Sequence, residues 1–177
     1  MNMIKFKKGN LIHLAKQGKY DIILHGLNCH CKMSDGIALQ IAKEFPIVEQ
    51  ADLNTKSLDK SKLGTFIPVD VFIDNKKLTI LNCYTQFNYA GFDLEESDLF
   101  DYQAFSKILK YVSKQYIDKK IAMPLIGTGH AGGDINKIIN IIKTELKYNN
   151  VDIIVYSEYN QPKELYSLVN KIKCLFY

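Results

Sequence analysis

Two glycine-containing loops, each following an apolar segment, are the parts of this sequence best suited to chemistry. The first loop, residues 29–36, reads Cys-His-Cys-Lys-Met-Ser-Asp-Gly, and the second loop, residues 127–133, reads Gly-Thr-Gly-His-Ala-Gly-Gly. A loop that follows a strand and opens a helix presents backbone N–H groups and a positive helix end to an anion. Because two such loops can hold an anion from both sides, the sequence predicts a site for a diphosphate.

Each loop also carries one histidine, His30 in the first loop and His130 in the second. An imidazole can take a proton from water or give one to a leaving oxygen near neutral pH. Each could equally be a half-exposed loop residue without a chemical role. Neither loop has the spacing of a dinucleotide fingerprint or the Gly-Lys-Ser/Thr ending of a nucleoside triphosphate loop. The histidines are therefore candidate catalytic groups, and neither loop alone identifies a nucleotide class.

Four polar residues stand where strands or helices are expected to begin or end. Asn28 ends an apolar segment and could be a turn asparagine. Asn10 precedes a short apolar pattern at 11–17 and could cap a helix there. Asp35 and Asp134 precede longer helical patterns, where a carboxylate satisfies free backbone N–H groups. Because a carboxylate repels phosphate, we expect Asp35 to point away from the anion.

The charged residues restrict how a phosphate could be held. All 23 basic residues are lysines, so backbone amides, lysines or hydroxyls would have to bind it, without the bidentate fork of arginine. The net charge of +4 is modest and dispersed, so nucleic acid is not an expected partner. Cys29 and Cys31 flank His30 without a second ligand pair, and neither a metal nor another cofactor is expected.

The composition is typical of one globular domain. Hydrophobic residues make up 47% and charged residues 24% of the 177 residues, which suffices for one core, so a single domain over 1–177 is expected. No apolar run approaches the length of a membrane span, and the N-terminus alternates like a strand. We expect a cytoplasmic monomer that does not contact membranes.

Hydrophobic periodicity predicts alternating strands and helices. Strands are expected near 2–8, 21–27, 65–73, 77–84, 120–126 and 151–156, and helices near 36–45, 46–54, 101–117, 134–147 and 161–173. Continuous apolar runs indicate strands buried on both faces, whereas 65–81 reads as a hairpin with its turn at Asp74. This pattern predicts a mixed sheet between helical layers, with ligands beyond the carboxyl ends of the strands. The acidic stretch 91–101 reads as a loop, and the sequence leaves open whether it covers that site.

In combination and in this order, the motifs resemble the macro domain, the ADP-ribose-binding module. The resemblance runs from Gly9 to Tyr156 and rests on Gly9-Asn10-Leu11, Asn28, Gly36-Ile37-Ala38, Asn82-Cys83-Tyr84-Thr85-Gln86, the stretch from Gly127 to Asp134, and Ile154-Val155-Tyr156. It implies an α/β fold with three layers, α/β/α, around a mixed central sheet. It also implies a site for ADP-ribose or a derivative, including an ADP-ribosylated macromolecule.

The resemblance further implies roles for individual residues. Asn28 corresponds to the asparagine that hydrogen-bonds the distal ribose, and Tyr156 to the aromatic residue that stacks on adenine. Asn10 replaces an aspartate that accepts a hydrogen bond from the adenine amino group, so recognition of the base is expected to be weaker or altered. The expected ligand-binding residues are Asn10, Asn28, Gly36, Ile37, Gln86, Gly127, Thr128, Gly129, His130, Ala131, Gly132 and Tyr156.

The catalytic pairs known in the family do not carry over to this chain. Ala38 stands where one branch has an aspartate. Another branch uses a lysine and an aspartate, but residues 85–88 contain no lysine and Ala131 stands near the place of the aspartate. His30, His130 and Asn28 remain as catalytic candidates for removing a group from the distal ribose.

The sequence therefore leaves two functions open. The first is hydrolysis of ADP-ribose 1''-phosphate, or of an ADP-ribosyl ester on a macromolecule, by a water that a histidine orients. The alternative is an ADP-ribose-binding module without turnover, a reader or a sink, which the absence of both family pairs favours. A third reading, a nucleic-acid-binding protein that uses its lysines, ranks below both.

Overall fold

The structure, a computed structural model, describes residues 4–92 and 99–156. The strands are β1 (Ile4–Lys8), β2 (Ile22–Asn28), β3 (Phe66–Ile73), β4 (Lys76–Gln86), β5 (Lys120–Met123) and β6 (Asn150–Val155). The helices are α1 (Leu11–Lys16), α2 (Gly36–Glu44), α3 (Pro46–Leu53), α4 (Tyr102–Gln115) and α5 (Ile135–Glu145), with a short 3₁₀ helix at Lys60–Lys62.

The described strands form one mixed sheet in the order β1-β6-β5-β2-β4-β3. All neighbouring strands are parallel except β3 and β4, which pair as an antiparallel hairpin. Its turn holds Asp74 and Asn75 at φ of 48° and 62°. Two left-handed residues give the turn the twist that adjacent strands require. The predicted hairpin and mixed sheet are thus confirmed.

Apolar side chains cover both faces of the sheet. In β2, Ile22 and Leu24 point into one core and Ile23 and Leu27 into the other. On the first face, α4 and α5 contribute the buried residues Phe105, Ile108, Leu109, Val112, Ile138 and Ile142. On the second face, the helices contribute Leu11, Ile12 and Ala15 from α1, Ile41 and Ala42 from α2, and Val48 from α3. The predicted three-layer α/β/α fold is therefore confirmed.

The boundaries differ from the expectations at several points. Strand β5 ends at Met123 rather than near 126, since Pro124 follows it and proline has no N–H for a strand ladder. The 3₁₀ helix at Lys60–Lys62 was not expected. The helix expected at 161–173 and most of the stretch 91–101 lie outside the described residues, so those expectations stay predictions. None of the helices in the described ranges combines the length and the apolarity needed to cross a bilayer.

Candidate ligand-binding site

A cleft of about 550 Å³ opens at the carboxyl edge of the sheet, where β2, β4, β5 and β6 end. Segments from five parts of the chain line it. They are 9–11, 26–28 with 32 and 34–40, 85–86 with 89–90, 124–131 and 154–156. Ligand sites in parallel sheets lie at this edge, and a volume of a few hundred Å³ is ordinary for a small-molecule site. Both loops therefore belong to one cleft.

Most of the residues predicted to bind a ligand line this cleft. They are Asn10, Asn28, Gly36, Ile37, Gln86, Gly127, Thr128, Gly129, His130, Ala131 and Tyr156. Two other candidates, His30 and Gly132, lie in the described part of the chain but not among the lining residues. The fold thus brings together residues that are up to 146 positions apart, from Asn10 to Tyr156.

Asn28 organises the first loop with its side chain. Its Oδ1 accepts hydrogen bonds from the backbone N–H groups of His30 (3.0 Å) and Lys32 (3.3 Å). Its Nδ2 donates to the carbonyl oxygen of Lys32 at 2.7 Å. An amide nitrogen carries two hydrogens, so the second hydrogen of Nδ2 is the group with which Asn28 could reach a ligand. Asn28 can therefore hold the turn and contact a ligand at the same time.

The His30 ring lies beside the cleft within a group of aromatic side chains. Its Nε2 is 3.0 Å from Asn88 Oδ1. Its ring centroid lies 4.4 Å from that of Phe92, 5.3 Å from that of Tyr89 and 5.4 Å from that of Phe87. These contacts position the imidazole against aromatic edges and an amide oxygen. His30 is not among the residues that line the cleft, so its catalytic role stays a prediction.

The second loop is shaped by its own backbone and glycines. The N–H of Gly133 donates to the carbonyl oxygen of Gly127 at 2.8 Å, and that of Gly132 to Gly129 at 3.0 Å. Gly127 has a φ of +89°, and a Cβ there would lie 2.5 Å from Cε2 of Phe100. A Cβ at Gly129 would meet nothing within 4 Å. Gly127 is thus needed for the fold of the loop, whereas Gly129 leaves space in the cleft.

A contact between Asp35 and His130 connects the two loops across the cleft. Asp35 Oδ2 lies 3.1 Å from Nε2 of His130, and the two side chains are 66% and 73% exposed. Asp35 also caps α2, because its Oδ1 accepts from the N–H of Gly36 at 2.7 Å. The cap is as predicted, but the expectation that Asp35 points away was wrong. It lines the cleft because a histidine of the opposite loop offers it a partner.

Two further polar residues act as helix caps. Asn10 Oδ1 accepts from the N–H of His13 at 3.0 Å, and Asn10 also lines the cleft. Asp134 Oδ1 accepts from the N–H of Lys137 at 2.9 Å, as predicted. The Oδ1 of Asn10 has a second lone pair and its Nδ2 is a donor, so both atoms can contact a ligand.

Lys32 and Tyr89 line the cleft beside Asn28, and neither was expected there from the sequence. The Nζ of Lys32 lies 4.2 Å from the centroid of the Tyr89 ring. Such a contact holds an exposed ammonium in place through the negative face of the ring. Because Lys32 belongs to the first loop, the sequence could have indicated it as a residue of the cleft lining. No local pattern placed Tyr89 beside it.

Behind the cleft, β2 and β4 share a buried polar pair. His25 Nε2 lies 2.6 Å from Asn82 Oδ1, and Asn82 Nδ2 donates to the carbonyl oxygen of Val48 at 2.9 Å. Burial lowers the pKa of His25 to about 4, although its bond to Asn82 acts in the opposite direction. His25 is therefore a neutral structural residue at neutral pH. Among the described residues no cluster of His, Cys, Asp or Glu is suited to a metal ion.

The sequence matches one protein family over most of its length. The family is described as "Thoeris protein ThsA, Macro domain", and the match spans residues 23–158. A curated relative is an uncharacterized 17.5 kDa protein in the tk-vs intergenic region of Enterobacteria phage T4. It is 33% identical over 143 residues, which is 80% of this chain and 89% of the relative.

Solved structures share the fold. A protein of unknown function from Bacteroides thetaiotaomicron is 27% identical with a TM-score of 0.70, over 87% of this chain and 98% of that chain. Thermosipho africanus DarTG in complex with ADP-ribose is 15% identical with a TM-score of 0.64, over 90% of this chain and 44% of that chain. At that identity, the second likeness concerns the fold alone.

Proposed function

The chain belongs to the macro domain family of the Thoeris protein ThsA, and from this premise we propose that its cleft binds ADP-ribose. The observation that carries the proposal is the position of both glycine loops on one cleft at the carboxyl edge of the sheet. The complex of Thermosipho africanus DarTG with ADP-ribose, which has the same fold, supports it.

The diphosphate would lie between the first and second loops. Gly36 opens α2 and Gly129 is in the second loop, and a Cβ at either would meet nothing within 4 Å. This space lets phosphate oxygens approach backbone N–H groups, which is what an anion site without arginine requires. Lys32 also lines the cleft, and its positive charge favours binding of the diphosphate.

The two ends of the cleft suit the two ends of ADP-ribose. Asn10 and Tyr156 are near the ends of β1 and β6. We assign the adenine to this end, where Tyr156 offers a ring for stacking and Asn10 an amide donor. Asn28 and Gln86 lie at the ends of β2 and β4, and we assign the distal ribose to that end.

Calorimetric titration with ADP-ribose tests this proposal, with Gly129→Ala as the matched variant. The added Cβ touches no protein atom within 4 Å, so the stability against urea should not change. In the cleft the same methyl group takes space from the ligand, so affinity should fall by about tenfold or more. Absence of binding by the unaltered chain, or equal binding by both chains, would contradict the assignment of the cleft.

The contact between Asp35 and His130 favours a second candidate function, hydrolysis at the distal ribose. A carboxylate that holds an imidazole fixes its orientation, as in general base catalysis by histidine. In this proposal His130 takes a proton from the attacking water, and the substrate is ADP-ribose 1''-phosphate or an ADP-ribosyl ester. Both compounds place the bond to be broken on the distal ribose.

Phosphate release from ADP-ribose 1''-phosphate separates this function from binding alone. If hydrolysis occurs, His130→Gln should remove most of the release and keep ADP-ribose binding, and Asp35→Asn should reduce release to a smaller extent. Binding without release by the unaltered chain would instead leave a reader or sink of ADP-ribose. Release that persists in His130→Gln would exclude His130 as the base.

A further inference from the structure

A buried polar cluster beneath the first loop is not used by the proposed binding site. It joins Cys31 of the loop to Asp52, Thr55, Lys62 and Tyr84. Lys62 Nζ lies 3.1 Å from Cys31 Sγ and 2.8 Å from Thr55 Oγ1. Thr55 Oγ1 is 3.2 Å from the same sulfur. The sulfur thus has an ammonium group and a hydroxyl at hydrogen-bond distance.

The charges in this cluster are shielded from water. The side chain of Lys62 is 9% exposed and that of Asp52 is 1% exposed, and Nζ lies 4.0 Å from Asp52 Oδ1. Tyr84 donates to the same Oδ1 at 2.7 Å. Asp52 Oδ2 has no hydrogen-bond partner among the described residues. A buried ammonium attracts negative charge on a neighbouring atom strongly, and Oδ2 is an acceptor that is still available for a proton.

Access distinguishes Cys31 from the other cysteines. Of the three thiols in the described residues, Cys29 and Cys83 are buried and Cys31 is partly exposed. Burial raises the pKa of Cys29 to about 11 and that of Cys83 further, and buried thiols of this kind are unreactive. Cys31 is thus a partly exposed cysteine whose sulfur lies next to a cation.

We infer that Cys31 is a peroxide-reactive thiol, with Lys62 stabilising the negative charge on the attacking sulfur. The sulfur attacks one oxygen of hydrogen peroxide, so that an S–O bond forms and the O–O bond breaks. The sulfur is oxidised by two electrons to a sulfenic acid. The other oxygen is reduced, takes the thiol proton and leaves as water.

The oxidised sulfur should disturb the first loop. An oxygen on Sγ needs space where Lys62 Nζ and Thr55 Oγ1 already lie at 3.1 Å and 3.2 Å. These two contacts change when the sulfur carries an oxygen, and the same loop is bound to Asn28 in the cleft lining. Oxidation is therefore expected to weaken the binding of ADP-ribose. This consequence, unlike the reactivity of Cys31, rests on the proposed function.

Trapping with dimedone, which labels sulfenic acids, tests the reactivity. The intact chain is treated with hydrogen peroxide and dimedone, and peptide mass spectrometry follows each cysteine over time. We expect Cys31 to be labelled at least about tenfold faster than Cys29 and Cys83. In Cys31→Ser the label should disappear from the peptide that contains both Cys29 and position 31. Equal rates at Cys29 and Cys31, or no label at Cys31, would overturn the proposal.

The variant Lys62→Met tests the contribution of the ammonium. It should slow labelling of Cys31 by about tenfold. Labelling at the unaltered rate would refute the role of Lys62. Should this variant not fold, because Asp52 loses its cation, the comparison of cysteines in the unaltered chain still decides the reactivity. ADP-ribose titration before and after peroxide tests the consequence, and failure of the reduced chain to bind would contradict only the proposed function.

Discussion

The two loops of the cleft hold their shapes by different means. The second loop closes on itself through backbone hydrogen bonds between glycines, from Gly133 to Gly127 and from Gly132 to Gly129. The first loop depends on side chains. Asn28 binds both sides of it, and Ser57 donates to its backbone from another segment. One loop is thus closed by backbone hydrogen bonds between glycines, and the other by hydrogen bonds from side chains.

This difference determines which substitutions each loop tolerates. A loop formed by glycines fails when a side chain enters a position that needs a positive φ or a close approach. A loop held by side chains fails when the hydrogen-bonding group is removed, because backbone N–H groups lose their acceptors. Substitutions in each of the two loops therefore test this contrast.

The largest effect is expected for Gly127→Ala in the second loop. The new Cβ would overlap the ring of Phe100, and alanine disfavours the φ of +89°. We expect a loss of about 3 to 4 kcal/mol in the free energy of unfolding, measured with urea. Gly129→Ala, where the Cβ meets nothing within 4 Å, is the matched control with a change near zero. Equal stability of the two variants would show that glycine geometry does not hold the loop.

The strands that lead into the loops should differ in their response to acid. β2 contains buried His25, whose pKa is lowered to about 4, whereas the buried residues of β5 are apolar. Between pH 6.5 and 4 the unfolded chain binds a proton at His25 that the folded chain does not. The free energy of unfolding should therefore fall with decreasing pH, by about 3 kcal/mol in full. In His25→Gln the free energy of unfolding should lack this decrease of about 3 kcal/mol between pH 6.5 and 4. An equal dependence on pH in the variant and the unaltered chain would contradict this prediction.

Asn28→Ala should loosen the first loop and leave the second loop intact. The substitution removes the acceptor for the N–H groups of His30 and Lys32, and we expect a loss of about 2 kcal/mol. Hydrogen exchange should accelerate at these two amides. The amides of Gly132 and Gly133 serve as the internal control. Equal acceleration in both loops would mean that they are one cooperative unit.

The smallest effect is expected for Lys32→Gln. Lys32 is exposed, so stability should not change. Affinity for ADP-ribose should fall by about threefold at low salt, and the difference should narrow as salt screens the charge. Calorimetry at two salt concentrations measures both. Gly129→Ala, which acts through space rather than charge, should lose affinity equally at both. A salt-independent loss for Lys32→Gln would exclude a charge effect.

The sequence was sufficient to predict those parts of the structure that depend on local patterns. Apolar runs indicated the strands. Asp74 and Asn75 indicated the hairpin turn, and Asp134 indicated the start of α5. The glycines of the second loop indicated its place on the cleft. These features depend on neighbours in the chain, so their residue types alone are informative.

The sequence was insufficient where distant segments meet. The orientation of Asp35 depends on His130, which is 95 positions away. The placement of His30 depends on Phe87, Tyr89 and Phe92, and no periodic pattern connects them to the first loop. Tertiary contacts of this kind place side chains in ways that spacing along the chain does not encode.

Titration of the ¹⁵N-labelled chain with ADP-ribose, followed by NMR, tests the central claim that both loops form one diphosphate site. We predict that the backbone amides of Gly36 in the first loop and of Gly129 in the second loop shift together, with one saturation curve. The amides of β3, on the far edge of the sheet, should not move. Shifts confined to one loop, different saturation curves or no shifts at all would contradict the account.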